Sequence, residues 1–171
     1  MQTICLRCWA QTWPKIDLYI RDDGSRDDSV NIIRRYQQSF PEGKRIILIN
    51  DADNDWANKG SHQSYRYLLS RLGDADYYLF CDQDDVWLPA KVERAVTHMR
   101  QYPPETPVLY VHNYYVCDAD LQIEHTLPDR PGVTPEEMSH ISLANVIMTG
   151  TWGGVGMAQG FNRTLKRLTF D

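Results

Sequence analysis

Apolar and polar positions along the chain switch between two periods. Ile16-Asp17-Leu18-Tyr19-Ile20 alternates as a strand does, while Val30, Ile33, Tyr36 and Phe40 recur at helical spacing. Arg45–Ile49 is a short β-branched run of the kind found in a buried strand, and residues 50–60 are a polar loop. Tyr65, Leu68, Leu69 and Leu72 then stand at i, i+3, i+4 and i+7, an amphipathic helix. Tyr77–Cys81 predicts a second buried strand. Val92, Ala95, Val96 and Met99 predict a helix with Pro89 in its first turn, and Val108–Val116 predicts a core strand. Residues 2–12 read as a helix that Pro14 ends, 117–134 as loop or hairpin, 135–148 as a helix, 149–160 as a Gly-rich loop and 161–170 as a last helix.

Strands and helices thus take turns, which predicts an α/β fold with a mostly parallel sheet covered by helices on both faces. In such sheets ligands bind beyond the carboxyl ends of the strands. Two of the strands end in acidic clusters there: Asp22-Asp23-Gly24-Ser25 after the first and Asp82-Gln83-Asp84-Asp85 after the third.

Composition narrows the function. The 171 residues make one domain, with 42% hydrophobic and 24% charged residues as in globular proteins. Eighteen Lys and Arg against 23 Asp and Glu leave a formal charge of −5, which argues against a nucleic-acid binder working through a basic face. No apolar run is long enough to span a membrane, and the first residues lack the features of a signal peptide, so the expected location is the cytoplasm. Cys5-x-x-Cys8 has no second ligand pair nearby, so Cys5, Cys8, Cys81 and Cys117 read as reduced, buried thiols rather than a zinc site.

The acidic turns carry the candidate chemistry. Asp82 and Asp84 offer hard oxygen ligands suited to Mg2+ or Mn2+, which would neutralise a diphosphate; the alternative is a helix-capping turn. Three carboxylates in four residues repel one another unless a cation sits among them. Asp22 and Asp23 suit a nucleobase N–H or a ribose hydroxyl, or else form an Asx turn. Asp51-Ala-Asp53-Asn-Asp55 opens like a calcium loop but has Trp56 where Gly is needed and His62 where Glu is needed, and so reads as a polar loop. The glycines from Gly150 to Gly160 match no phosphate-binding pattern, and the five histidines form no catalytic arrangement.

Two long segments are similar to family 2 glycosyltransferases. Gln11-Thr12-Trp13-Pro14, continued by Leu18 to Ser25 with Asp27, resembles the family's opening. Phe80-Cys81-Asp82-Gln83-Asp84-Asp85-Val86-Trp87-Leu88-Pro89-x-Lys91 resembles its metal-binding segment, closest in form to rhamnosyltransferase-like members. Asn58-x-Gly60 and Phe161-Asn162-Arg163 match shorter signatures. The resemblance implies a GT-A, Rossmann-like fold and an inverting, metal-assisted transfer of sugar from a dTDP-, UDP- or GDP-linked donor to a saccharide or lipid-linked acceptor, in bacterial cell-surface polysaccharide synthesis. It implies that Asp22 or Asp23 contacts the nucleobase and that Asp82 and Asp84 hold the metal and diphosphate. Asp85 and Trp87 would shape the sugar end, with Asn58 and Gly60 also in the donor site. Residues 1–116 would form the donor-binding part and 117–171 the start of the acceptor side, with peripheral membrane contact.

Departures from the pattern set further expectations. The chain is read as starting within the helix that follows the family's first strand, so that this mid-sheet strand is absent. The acidic-Trp base motif is not legible, Asp171 being the only acid after Glu137. The competing readings are a non-catalytic remnant that binds nucleotide weakly and, more remotely, a metal-dependent nucleotidyltransferase. Phe161, Leu165 and Leu168 with Arg163, Lys166 and Arg167 suit either a membrane-surface patch or, preferred, a terminal helix whose cations complement its dipole.

Overall fold

The computed structural model describes residues 7–49, 61–126 and 158–170. After a helical turn at residues 7–9, β1 (Ile16–Arg21), α1 (Ser29–Ser39), β2 (Lys44–Ile49), α2 (Ser61–Arg71), β3 (Tyr77–Leu79), α3 (Lys91–Met99) and β4 (Leu109–Val111) alternate. They are followed by β5 (Tyr115–Cys117), β6 (Ile123–Thr126), β7 (Gln159–Asn162) and α4 (Arg163–Phe170). The α/β expectation holds: β1 and β2 pair in parallel, Leu18 opposite Ile46 and Ile20 opposite Leu48. β7 runs antiparallel between β3 and β4, which therefore point the same way.

Helices cover both faces because the strand side chains alternate between two cores. Leu18, Ile20 and Ile46 join Ile33 of α1 and Val92 and Val96 of α3 in one cluster. Tyr78 and Phe80 join Leu69 of α2, Phe161 of β7 and Leu165 of α4 in the other. β3 shows the period directly: Tyr77 and Leu79 pack on the first cluster, and Tyr78 between them packs on the second. Phe161, fully buried, lies 5.5 Å from the ring of Tyr78 and 5.6 Å from that of Phe80.

Some boundaries differ from the sequence reading. The single strand expected over 108–116 is two, β4 and β5; β5 leaves the main sheet to form a hairpin with β6, and its Tyr115 is exposed. Phe161 and Asn162, read as the start of the last helix, lie in β7, where Phe161 pairs with both Tyr78 and Leu109. Asn162 ends the strand and starts α4, since its Oδ1 accepts the N–H of Leu165. Pro89 precedes the first turn of α3 rather than lying in it. Cys8, Cys81 and Cys117 are free thiols as expected, but Cys117 is exposed. The cations of α4 are engaged by loop acids, Arg163 with Asp74 and Asp76 and Arg167 with Asp74. The helix expected at 135–148 and the Asp51–Asp55 loop lie outside the described residues.

Among the described residues, no ladder joins β1 to β3, and the sheet divides between them. Residues 7–12 cross that division. Gln11, 3% exposed, donates to the Leu88 carbonyl (2.9 Å) and the Arg7 carbonyl (3.2 Å) and accepts the N–H of Val92 (3.1 Å). Thr12 N–H donates to the Pro89 carbonyl, and Lys44 donates to the carbonyls of Trp9 and Gln11.

Candidate donor-binding site

The first acidic turn follows β1 because Gly24 takes a positive φ of 98° that a side chain would resist. Asp22 continues the ladder through its N–H to Ile49, and its carboxylate accepts the N–H of Ser25 at 3.2 Å, an Asx turn. Asp23 is ion-paired at 2.7 Å with Arg21, whose side chain is 2% exposed. The Arg21 guanidinium also donates to Ser64 Oγ and lies 5.3 Å from the ring centroid of Tyr67. A buried cation held this way is costly to unpair, so it fixes Asp23 firmly. The turn reading and the ligand reading are therefore compatible: the local bonds order the same carboxylates that face the sheet edge.

The second acidic turn follows β3. Asp85 N–H closes it onto the carbonyl of Asp82 at 3.4 Å. Asp82 Oδ1 accepts a hydrogen bond from the hydroxyl of Tyr65, whose ring packs on Phe80 with centroids 4.7 Å apart. Burial first, and the Asp82 carboxylate next, push the Tyr65 phenol far up, so it stays the donor. Asp84 is exposed. Asp85 is driven above the usual carboxylate range by burial, then by Asp82 and Asp84. Lys91 is a nearby positive charge that partly offsets Asp85; its Nζ lies 4.2 Å from the ring centroid of Trp87, and burial lowers its pKa to about 8. Cys81, just before the turn, shares a hydrogen bond with Cys8; that bond and burial push its thiol up, so it keeps its proton.

α2 brings the two turns together. Ser64 touches Arg21 at the end of β1, and the next residue, Tyr65, touches Asp82 at the end of β3. Asp22, Asp23, Asp82, Asp84 and Asp85 are thereby gathered at the carboxyl edge of the strands. Asn58 and Gly60 lie outside the described residues.

Among the described residues, two buried polar atoms without a hydrogen-bond partner belong to this turn and the residues after it, Asp85 Oδ2 and Trp87 Nε1; His112 Nε2 is another. Trp87 is 6% exposed, so its indole N–H is a buried donor at the foot of the acidic turn. Among the described residues no three His, Cys, Asp or Glu side chains form a ready cation cage. Asp82 and Asp84 instead suit an ion whose other ligands are water and phosphate oxygens.

Sequence reasoning missed Arg21, Ser64, Tyr65 and His112. Tyr65 carried a faint signal, a phenol on the buried stripe of a helix whose hydroxyl must find a partner. Arg21 carried another, a cation directly before the Asp22-Asp23 pair.

The two acidic turns stand at the carboxyl edge of an α/β sheet, where such folds bind their ligands. The chain belongs to Glycosyl transferase family 2, whose family model matches residues 4–168. It is 32% identical over 106 residues to the dTDP-rhamnosyl transferase RfbG of Shigella flexneri, covering 56% of this chain and 35% of that protein. It is 26% identical over 145 residues to the UDP-Glc:alpha-D-GlcNAc-diphosphoundecaprenol beta-1,3-glucosyltransferase WfaP of Escherichia coli, covering 83% of this chain and 52% of that protein. The chain spans between about a third and a half of the length of these relatives. The family generally uses divalent metal ions. No helix among the described residues is long and apolar enough to cross a membrane.

Proposed function

We propose that this chain forms the donor-binding part of a glycosyltransferase that moves a sugar, with inversion, from a nucleotide-activated donor to a saccharide or lipid-linked acceptor in cell-surface polysaccharide synthesis. The observation that carries the reading is the gathering of the two acidic turns on consecutive residues of α2. Asp22 and Asp23 lie where a nucleobase or ribose would meet them. Asp82 and Asp84 would hold Mg2+ or Mn2+, which supplies charge neutralisation for the departing nucleoside diphosphate. Asp85 and Trp87 offer one acceptor and one buried donor to sugar hydroxyls. Asn58 and Gly60 are proposed contacts of the same donor. Residues 1–116 serve the donor, and 117–171 begin the acceptor side.

The names of the relatives support a dTDP- or UDP-linked donor, with a GDP-linked one the remaining choice. The diphosphoundecaprenol in the name of WfaP supports a lipid-linked acceptor, and with it work at the inner face of the membrane by peripheral contact.

The test is thermal. Mn2+ with dTDP, UDP or GDP raises the melting temperature of the wild-type chain, and Asp84→Ala abolishes the rise. Absence of any rise with all three nucleotides overturns the donor-site reading. A rise without sugar transfer, measured with the full set of donors and a lipid-linked acceptor, assigns the chain to binding without turnover.

A further inference from the structure

We propose that Tyr65 is a positioning residue for the donor site: its hydroxyl fixes the orientation of the Asp82 carboxylate. This rests on the donor-site reading of Asp82. A carboxylate at the end of a strand can turn about its side-chain bonds, and each turn changes which oxygen faces the site. Here the Tyr65 hydroxyl occupies Oδ1 of Asp82 from the side of α2. The donor is itself held, because the Tyr65 ring packs on Phe80, two residues before Asp82. Phe80 is in turn 5.6 Å from the fully buried Phe161. The orientation of Asp82 is therefore set by the second core cluster, through one phenol.

The neighbouring residue does the parallel work at the other turn. Ser64 accepts from Arg21, and Arg21 pairs with Asp23. One turn of helix α2 thus sets a carboxylate in each acidic cluster. Among the described residues, the Tyr65 hydroxyl has Asp82 as its hydrogen-bond partner. Partners of this kind, one step behind a metal ligand, commonly change metal affinity by about 10–100-fold when removed.

Tyr65→Phe isolates the hydroxyl, since the ring that packs on Phe80 remains. Binding of Mn2+ with nucleoside diphosphate is measured by calorimetry for wild type, Tyr65→Phe and Asp84→Ala, together with the EPR spectrum of bound Mn2+ at saturation. The proposal expects Tyr65→Phe to bind at least about 10-fold more weakly and to show an altered saturated spectrum, while Asp84→Ala loses binding. Wild-type affinity in Tyr65→Phe beside lost binding in Asp84→Ala overturns the positioning role and leaves the donor site standing. Weaker binding with an unchanged saturated spectrum and a lowered melting temperature also overturns it, since that is loss of fold alone. Failure of wild type to bind overturns the donor-site reading and this proposal with it.

Discussion

His112 shows how one side chain's protonation can be read from its neighbours. Its Nδ1 lies 2.8 Å from the carbonyl oxygen of Asn113, which can only accept, so Nδ1 carries the hydrogen and Nε2 keeps a lone pair. Burial lowers its pKa below the ordinary 6.5, outweighing the Asn113 bond that raises it, and Lys91 lowers it further. The fold therefore holds the ring neutral, whereas the unfolded chain takes up the proton first as pH falls. The stability this contributes is full above about pH 6.5 and is lost as pH falls from there through the folded-state value. Between pH 7 and 5 the wild-type chain should lose more stability than His112→Gln, measured by chemical denaturation at each pH. Parallel curves for the two proteins would contradict this account. The sequence offered no way to see it, because the carbonyl that selects the tautomer belongs to the backbone.

At the scale of elements, the strand and helix patterns were legible wherever one stretch of chain faced one core. β1, β2, α1, α2 and α3 all fall where their apolar spacing put them, and both acidic turns follow the strands expected of them. The failures share a cause, which is pairing with distant residues. Gln159–Asn162 is a strand only because β3 and β4 flank it, a contact that no local period records. Residues 108–116 divide because Tyr115 to Cys117 pair with β6 instead of continuing β4. The joint between β1 and β2 was equally hidden. Gly43 has φ 81°, and a Cβ there would stand 2.6 Å from the carbonyl oxygen of Pro14. Its own carbonyl accepts the N–H of Ile16 at 3.2 Å, beside the first rung of the ladder. Gly43→Ala combines left-handed strain with a backbone clash and should cost about 2–3 kcal/mol. Denaturation midpoints test this, and a change within about 0.5 kcal/mol would mean the joint yields more easily than its geometry indicates.

For the whole molecule, the question is how two sheets that share no ladder among the described residues act as one body. Their side chains meet in the first core cluster, where Leu18 and Ile20 of β1 share neighbours with Leu79 of β3 and Val92 and Val96 of α3. Direction comes from Gln11, which lies between the sheets and satisfies three backbone groups at once: two carbonyls and the N–H of Val92 in the first turn of α3. The segment Gln11-Thr12-Trp13-Pro14 that resembles the family's opening thus has a physical task here, tying the start of the described chain to the stretch from Leu88 to Glu93. Gln11→Leu keeps the volume and removes all three bonds. Each buried backbone group left without a partner costs about 1–3 kcal/mol. Allowing for partial rehydration, the variant should lose about 2–4 kcal/mol, or on the order of 5–15 °C in melting temperature. Because the same residue anchors Leu88, the loss should reach the second acidic turn: Mn2+ and nucleoside diphosphate should bind Gln11→Leu more weakly even well below its melting temperature. Tyr19→Phe serves as the control, since it removes only the bond from the Gly73 N–H to the Tyr19 hydroxyl, on the opposite face of β1. If Gln11→Leu and Tyr19→Phe lower stability equally and leave metal binding alike, the sheets are coupled by apolar packing alone and Gln11 is no more than one buried side chain among many.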